Sequence, residues 1–311
     1  MTLGRNRDDV ARHRARDDLA RGATAMILGV GFFAVHDMVG KLVVENYPVA
    51  QMLALRSGIA LAILLVVTFR RGGGGLPPLP RASIPTHLVR LSAMLGAIFL
   101  FFSALEQLPL ADATAIAFGA PFVMLLLSRP LLGERVPSGA WAAVIAGFIG
   151  VLVIVKPGGD VKPAALLAVG ASVLYALGML TTRRLGRTES VFSMLFWVIA
   201  GQFVIAMVAL PFVWHPVELR HWPLLAALAV LNLLGHLGLV HAYSLAPAST
   251  VAPYEYTALL WAAALGFFVF GDVPSATLWI GAVIIIGAGT YVTLRTKPTD
   301  LALPMPGQSE E

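Results

Sequence analysis

Cysteine is absent from this chain of 311 residues. That excludes disulfide frameworks and cysteine-ligated metal centres, and leaves the compartment open. Charge is scarce too: Asp, Glu, Lys and Arg supply 13% of the residues, against about 25% in an average soluble domain. A Walker A loop, an H-E-x-x-H helix and paired-cysteine motifs are all missing, which argues against ATP hydrolysis and zinc chemistry. The seven histidines are dispersed among an arm, loops and different helices. Neither a metal nor a cofactor is expected from them. What remains is apolar material, 58% hydrophobic residues with a mean hydropathy of +0.82.

A bilayer core of roughly 30 Å needs about 20 apolar residues as a helix. Ten stretches qualify: 23–44, 48–69, 88–107, 110–132, 138–155, 163–182, 190–213, 222–244, 247–270 and 275–294. The connections "ENY", "GERVP" and "GDVPS" carry the Pro, Gly and charged residues that end helices. Barrel strands would read as short alternating segments, and these do not. The expected fold class is an all-α integral membrane protein with ten transmembrane helices.

Residues 1–22 form a mixed-charge segment, read as a solvated cytoplasmic arm, and residues 297–311 a disordered cytoplasmic tail. The arm's arginines are interleaved with Asp beside a membrane span, so nucleic acid is not an expected partner. Orientation follows from basic residues. With the N-terminus cytoplasmic, seventeen of the 22 Lys and Arg fall on that side, and only Lys156, Lys162 and Arg220 on the other. Both termini are therefore expected in the cytoplasm, with the chain in a bacterial inner membrane. The net charge of +5 is a topology signal.

The chain also matches itself. A shift of 138 lays "ALEQLPLADATAIAFGAPF" on "AYSLAPASTVAPYEYTALL", so that Pro109 meets Pro247, Phe118 meets Tyr256 and Glu134 meets Asp272. A shift of 142 lays "VAQML" (49–53) on "VFSML" (191–195). Each half, 23–156 and 163–296, then holds five helices. An odd number inverts the second half relative to the first. Inverted repeats are the architecture of secondary transporters, with the site at the repeat interface near the midplane.

The segment "SALEQLPLADATAIAFGAPFVMLLLSRPLLGERV" strongly resembles the EamA repeat of the drug/metabolite transporter superfamily, and "AYSLAPASTVAPYEYTALLWAAALGFFVFGD" is a weaker copy. The resemblance spans roughly 23–296 and implies secondary transport of small metabolites, commonly amino acids, without enzymatic activity. The chain resembles the aromatic amino-acid exporter branch. The stretch "FFAVHDMVGKLV…YPVAQMLALRS" also looks like uptake carriers for S-adenosylmethionine or riboflavin. A polytopic enzyme acting on lipid-linked substrates is the remote alternative; it would gather polar residues at one interface, whereas here they sit at midspan. The expected partners are a small-molecule substrate, the lipid bilayer and, as a candidate, protons.

Ionisable residues inside spans mark pathways or pairs. Asp37 lies nine residues before Asn46 and Arg56 ten after it, so the two share a depth on neighbouring helices and are expected to form an ion pair. Lys41 is expected to snorkel outward toward Glu45. His36 points about 100° away from Asp37 and is a candidate to face the cavity. The second half has Val198 where the first has Arg56, and offers Asn232, His236 and the run "PYEYT" instead. His236 and Glu255 fall at comparable depth and form either a substrate site with Tyr254 and Tyr256 or a polar lock. Pro121 and Pro253 are expected to break their helices, crowding the carbonyls of Ala117 and Ser249. Phe33, Phe101, Phe118 and Tyr175 complete the candidate cavity lining, on helices that line the cavity in the resembled family. Gly139, Ala143 and Gly147 form a small-residue stripe for close packing.

Overall fold

A computed structural model of the chain describes residues 2–70, 76–77, 84–132, 138–155, 162–186, 188–245 and 251–295. Among them there are helices and turns and no strand. Helix α1 covers Thr2–Val44, α2 Val49–Arg70 and α3 Ile84–Leu105. Helices α4 (Leu110–Ala117), α5 (Ala120–Leu132) and α6 (Ser138–Val155) complete the first half. The second half has α7 (Pro163–Leu185), α8 (Val191–Val213), α9 (Trp222–Leu245), α10 (Thr257–Phe270) and α11 (Ala276–Arg295). The expected tail, 297–311, lies outside the described residues.

The segment expected as an arm is helical in the structure. It continues the first span as helix, with the apolar part confined to Ala20–Val44. The physical reason is in the spacing: Asp8 precedes Arg12 by four residues and Asp17 precedes Arg21 by four, the register that supports a helix in water, and no proline intervenes.

Seven helices are long and apolar enough to cross a membrane, judged by length and composition. Trp141–Val155 and Ala276–Tyr291 are apolar but shorter. Two of the expected spans are interrupted. The span 110–132 stops at Ala117, where Phe118 N–H bonds the Thr114 carbonyl (3.1 Å) and Gly119 N–H the Ile116 carbonyl (2.9 Å) before α5 begins. Pro121 lacks the N–H that would continue the ladder through Ala117, so the break falls where its ring would crowd that carbonyl. The span 247–270 is interrupted as well: Ala252–Tyr256 is a 3-10 turn with Pro253 in its first positions, and α10 starts at Thr257. Tyr254 and Glu255 therefore sit in a tight turn at the expected break. Ser249 is outside the described residues.

The helix pairing follows the duplication. In the aligned register α1 corresponds to α7, α2 to α8, α3 to α9 and α6 to α11. Helix α1 packs along α9, and α3 along α7. These are one contact made twice. Helices α2 and α8 pack on each other, as do α6 and α11. Such a pattern is what a pseudo-two-fold axis generates. Two crossings are very close: a Cβ on Gly238 would come within 2.6 Å of Gly29 Cα, and one on Gly281 within 2.6 Å of the Gly150 carbonyl. The small-residue stripe of α6 serves contact as expected, with Ala143 buried and the Phe122 ring seated on Gly147.

The core is not centred. Val43, Tyr47, Leu53, Leu105, Leu108, Leu110 and Leu225 are all buried in the largest cluster, and they gather at the end carrying the 45–48 and 106–109 connections. Between membrane helices such contacts act through close packing, and this packing closes the end. Toward the opposite end, Tyr175 (46% exposed), Tyr243 (41%) and Tyr254 (38%) keep open surface.

Candidate functional site

Four elements converge on the ionisable residues of α1. His36 is 4% exposed and sits between two charged neighbours. Its Nδ1 lies 2.9 Å from Asp37 Oδ1, and its Nε2 lies 2.9 Å from Arg56 Nη1 of α2. A guanidinium nitrogen can only donate, so Nε2 accepts and Nδ1–H donates to the carboxylate. The ring is thus a neutral tautomer fixed on both sides. This corrects the expected direct pair: Asp37 and Arg56 are joined through His36. Adjacent α-helical residues diverge by about 100°, and the imidazole spans that gap from the backbone of α1 to the guanidinium of α2. The Phe102 ring of α3 closes the cluster edge-on, 5.8 Å from the imidazole, with Phe101 behind it at 5.7 Å.

Lys41 also departs from expectation. Its ammonium donates to the Leu108 carbonyl (2.9 Å), lies 3.3 Å from Asp272 Oδ2, and stands 4.5 Å from the centre of the Phe270 ring. It does not run out to Glu45. Three acceptors inside the bundle outweigh one exposed carboxylate on its own helix.

His236 of α9 faces this cluster. Its ring meets Phe33 of α1 edge-on at 5.0 Å, and it lies within electrostatic range of His36 and Arg56. Its Nδ1 is 2.9 Å from the Asn232 carbonyl, so it donates there and leaves Nε2 as an acceptor. The expected His236–Glu255 pair is not made. Glu255 accepts instead from the Tyr243 hydroxyl of α9, with Tyr175 and Tyr256 within range of its charge.

The two helix breaks meet. Phe118, at the end of α4, lies 5.2 Å from Tyr256, at the end of the 3-10 turn, with the rings tilted by 37°. These residues are equivalents in the duplicated register, so the contact sits on the pseudo-axis. The Tyr256 hydroxyl presses on Gly289 of α11, where a Cβ would overlap it.

Of the sequence candidates, Phe33, His36, Asn232 and His236 join one wall with Phe101 near it. Phe118, Tyr175, Glu255 and Tyr256 gather at another, with Tyr254 on the same turn as Glu255. Two residues were missed. Tyr243 stands where the first half has Leu105, a polar-for-apolar difference that would have flagged it. Asp272 was aligned with Glu134 but not connected to Lys41, since 231 positions separate the two in sequence. Among the described residues no group of His, Asp or Glu could hold a metal ion.

The arrangement gathers aromatic rings and a few fixed polar groups where two similar halves meet. Known proteins of the same build are transporters. The chain is 32% identical over 289 residues to the pseudopaline exporter CntI of Pseudomonas aeruginosa, covering 90% of this chain and 98% of that one. It is 32% identical to an S-adenosylmethionine uptake transporter of Rickettsia prowazekii over 66% of this chain and 72% of the relative. A riboflavin transporter of Vibrio cholerae is 27% identical over 88% and 93%. A solved structure at 21% identity has the same fold, with a TM-score of 0.60 over 90% of this chain and 97% of the other. The family model for EamA-like transporters matches twice, at 20–156 and 162–295, and with it the duplication, the paired breaks and the relatives agree: the chain is a multi-pass membrane transporter of the EamA-like transporter family.

Proposed function

We propose that this transporter exports or exchanges small metabolites, amino acids including aromatic ones foremost, by alternating access through the chamber between its halves. The observation that carries this is the meeting of two equivalent helix breaks at Phe118 and Tyr256, flanked by His236 and by Glu255. Broken helices at a repeat interface offer backbone groups and ring faces to a substrate while leaving room for rigid halves to rock. Glu255 would take an ammonium group; Tyr254, Tyr256 and Phe118 would take a side chain. The remaining candidates, Phe33, His36, Phe101, Tyr175 and Asn232, would complete the lining.

The halves are read as 23–156 and 163–296, inverted, with ten crossings and both termini in the cytoplasm of a bacterial cell. The exchange of partners between α1–α9 and α3–α7 supports the inversion, and the seventeen-to-three basic asymmetry supports the orientation. Under that orientation the closed, leucine-rich end faces outward and the chamber opens inward. Likeness to an exporter over nearly its whole length supports the export direction. Uptake of S-adenosylmethionine or riboflavin is the second reading, favoured by the relatives that carry those names.

Counterflow in proteoliposomes tests this. Vesicles preloaded with an unlabelled amino acid should accumulate the labelled one, and Glu255→Gln should cut the rate while leaving the protein folded. Accumulation of labelled S-adenosylmethionine or riboflavin, with no amino acid moved, would reverse the assignment.

A further inference from the structure

The cluster on α1 does more than bind. A buried histidine held between a donor and a carboxylate has one state compatible with both bonds. Nε2 must keep its lone pair to accept from Arg56, and Nδ1–H must point at Asp37. A proton arriving from water at Nε2 turns that acceptor into a donor, and two N–H groups then face each other. The Asp37 bond survives and strengthens, because the ring becomes a cation beside a carboxylate. The Arg56 bond does not survive.

Arg56 is poised for release. It is 4% exposed, and its guanidinium makes one hydrogen bond among the described residues, to His36. Among described side chains the fully buried nitrogen without a partner is the Trp197 indole N–H, so the other Arg56 N–H groups reach accessible space. Among the described residues the surroundings offer no anion besides Asp37 to hold it. On α1 the charged neighbours are Asp37, engaged with His36, and Lys41, tied to Leu108 and Asp272. Helix α9 presents His236, whose Nδ1 is spent on Asn232. Helix α3 presents the uncharged Phe102, and the 3-10 turn presents Glu255, bonded to Tyr243.

We infer that His36 is a proton-operated latch on Arg56: with the ring neutral the guanidinium is held, and with the ring protonated it is freed to bind an anionic group, such as a carboxylate, of the transported molecule. This rests on the chamber being the transport path. Linkage makes the coupling reciprocal, so proton binding at His36 and anion binding at Arg56 favour one another. A molecule carrying a carboxylate would load together with a proton. A neutral molecule of the same shape would load without one. His36 is here a positioning residue, acting on cargo through Arg56.

Two measurements on the full chain test the latch. In proteoliposomes, counterflow of labelled phenylalanine and of phenylalaninol, which keeps the ammonium and lacks the carboxylate, is followed between about pH 5 and 8, the range in which histidines titrate. His36→Gln preserves the resting bonds, since a side-chain amide accepts from Arg56 and donates to Asp37, but it cannot take a proton. Wild-type phenylalanine counterflow should rise on acidification by about tenfold, the worth of one charge-assisted hydrogen bond. In His36→Gln it should stay flat and low, and phenylalaninol, without a carboxylate, should show no such rise in either protein. The same pH profile in wild type and His36→Gln would overturn the latch. The second measurement needs no transport: nitrogen NMR of histidine-labelled protein in detergent, with His36 identified by its loss in His36→Gln or, should that variant not fold, by elimination using variants of the other six histidines. Gain of a proton at His36 Nε2 on acidification supports the latch even if no probe is carried, in which case the transport assignment fails alone. A ring that stays singly protonated throughout that range overturns the latch whatever is transported.

Discussion

The two halves share a backbone plan and place their charges in opposite locations. In the first half, His36, Asp37 and Arg56 form a chain across α1 and α2. The second half has Gly178, Met179 and Val198 at the corresponding positions. It puts Tyr243 and Glu255 at the other wall, where the first half has Leu105 and Ala117. The ends repeat the contrast. At the leucine-rich end, Tyr47 bonds His221 Nδ1 (2.7 Å) and accepts from Glu218 N–H (3.1 Å), while Gln51 exchanges two bonds with the His215 backbone at 2.6 and 2.7 Å. At the opposite end the counterpart of Tyr47 is Glu189, whose carboxylate meets His87 Nε2 at 2.8 and 3.0 Å. Beside it Arg90 donates to Thr182 Oγ1 (2.7 Å) and to the Met194 carbonyl (2.9 Å). The leucine-rich end joins these neutral bonds to the Lys41–Asp272 pair, while the opposite end relies on His87, Glu189 and Arg90. Duplication supplies two equivalent arrangements; the diverged charges decide which one rests lower in energy.

The largest expected effect attacks the first-half chain. Asp37→Ala leaves the buried His36 and Arg56 without their partly buried anion and should destabilise by about 3–5 kcal/mol. Replacing His36, Asp37 and Arg56 together with apolar residues of similar volume should cost clearly less. Thermal unfolding in detergent compares the two, and equal losses would mean the three residues do not act as a unit.

Next comes the leucine-rich end. Gln51 is fully buried, and Gln51→Ala removes both of its bonds to the exposed His215 backbone, a cost of about 1–3 kcal/mol. This loss should hardly depend on pH, because neither partner titrates. A melting curve that moves with pH in step with the wild type would bear it out.

Glu189→Gln should cost less, because the amide still accepts from His87. Thermal unfolding compares the two variants, and a loss from Glu189→Gln larger than that from Gln51→Ala would reverse the contrast between the ends.

The smallest effect concerns Glu106, on the connection that offers the Leu108 carbonyl to Lys41. Partial burial holds its carboxyl above the usual carboxylate range. Raised folded-state affinity for a proton means the charged form weakens the fold, so stability falls as pH rises through that value. Glu106→Gln should therefore melt slightly higher than wild type at neutral pH. The advantage should disappear below the ordinary carboxylate range, where both side chains are neutral.

Much of this was legible in the sequence, and particular residues show why. Pro121 predicts the stop at Ala117 because a missing amide acts locally. The shift of 138 joins Phe118 to Tyr256 as equivalents, though not as neighbours; only a two-fold axis through both makes equivalence into contact. The matched depth of Asp37 and Arg56 brought the right two helices together. It could not show that an imidazole would fill the gap, since depth along an axis says nothing about lateral reach. Lys41 was misassigned for a related reason. Helical spacing favours Glu45 four residues on, while Asp272 comes from a turn of the other half.

The length of α1 has a mechanical meaning. Its 43 residues form a rod of about 65 Å, roughly twice the thickness of a bilayer core. One end carries His36, Asp37 and Lys41 among the packed helices; the other projects about 28 Å beyond Ala20. A stiff rod pivoting where it leaves the bundle is a lever. A tilt of about 10° inside would sweep its far tip by about 5 Å, on the same geometry. A fluorophore attached near Thr2 would then register each rocking of the halves as a displacement in water, far from the substrate.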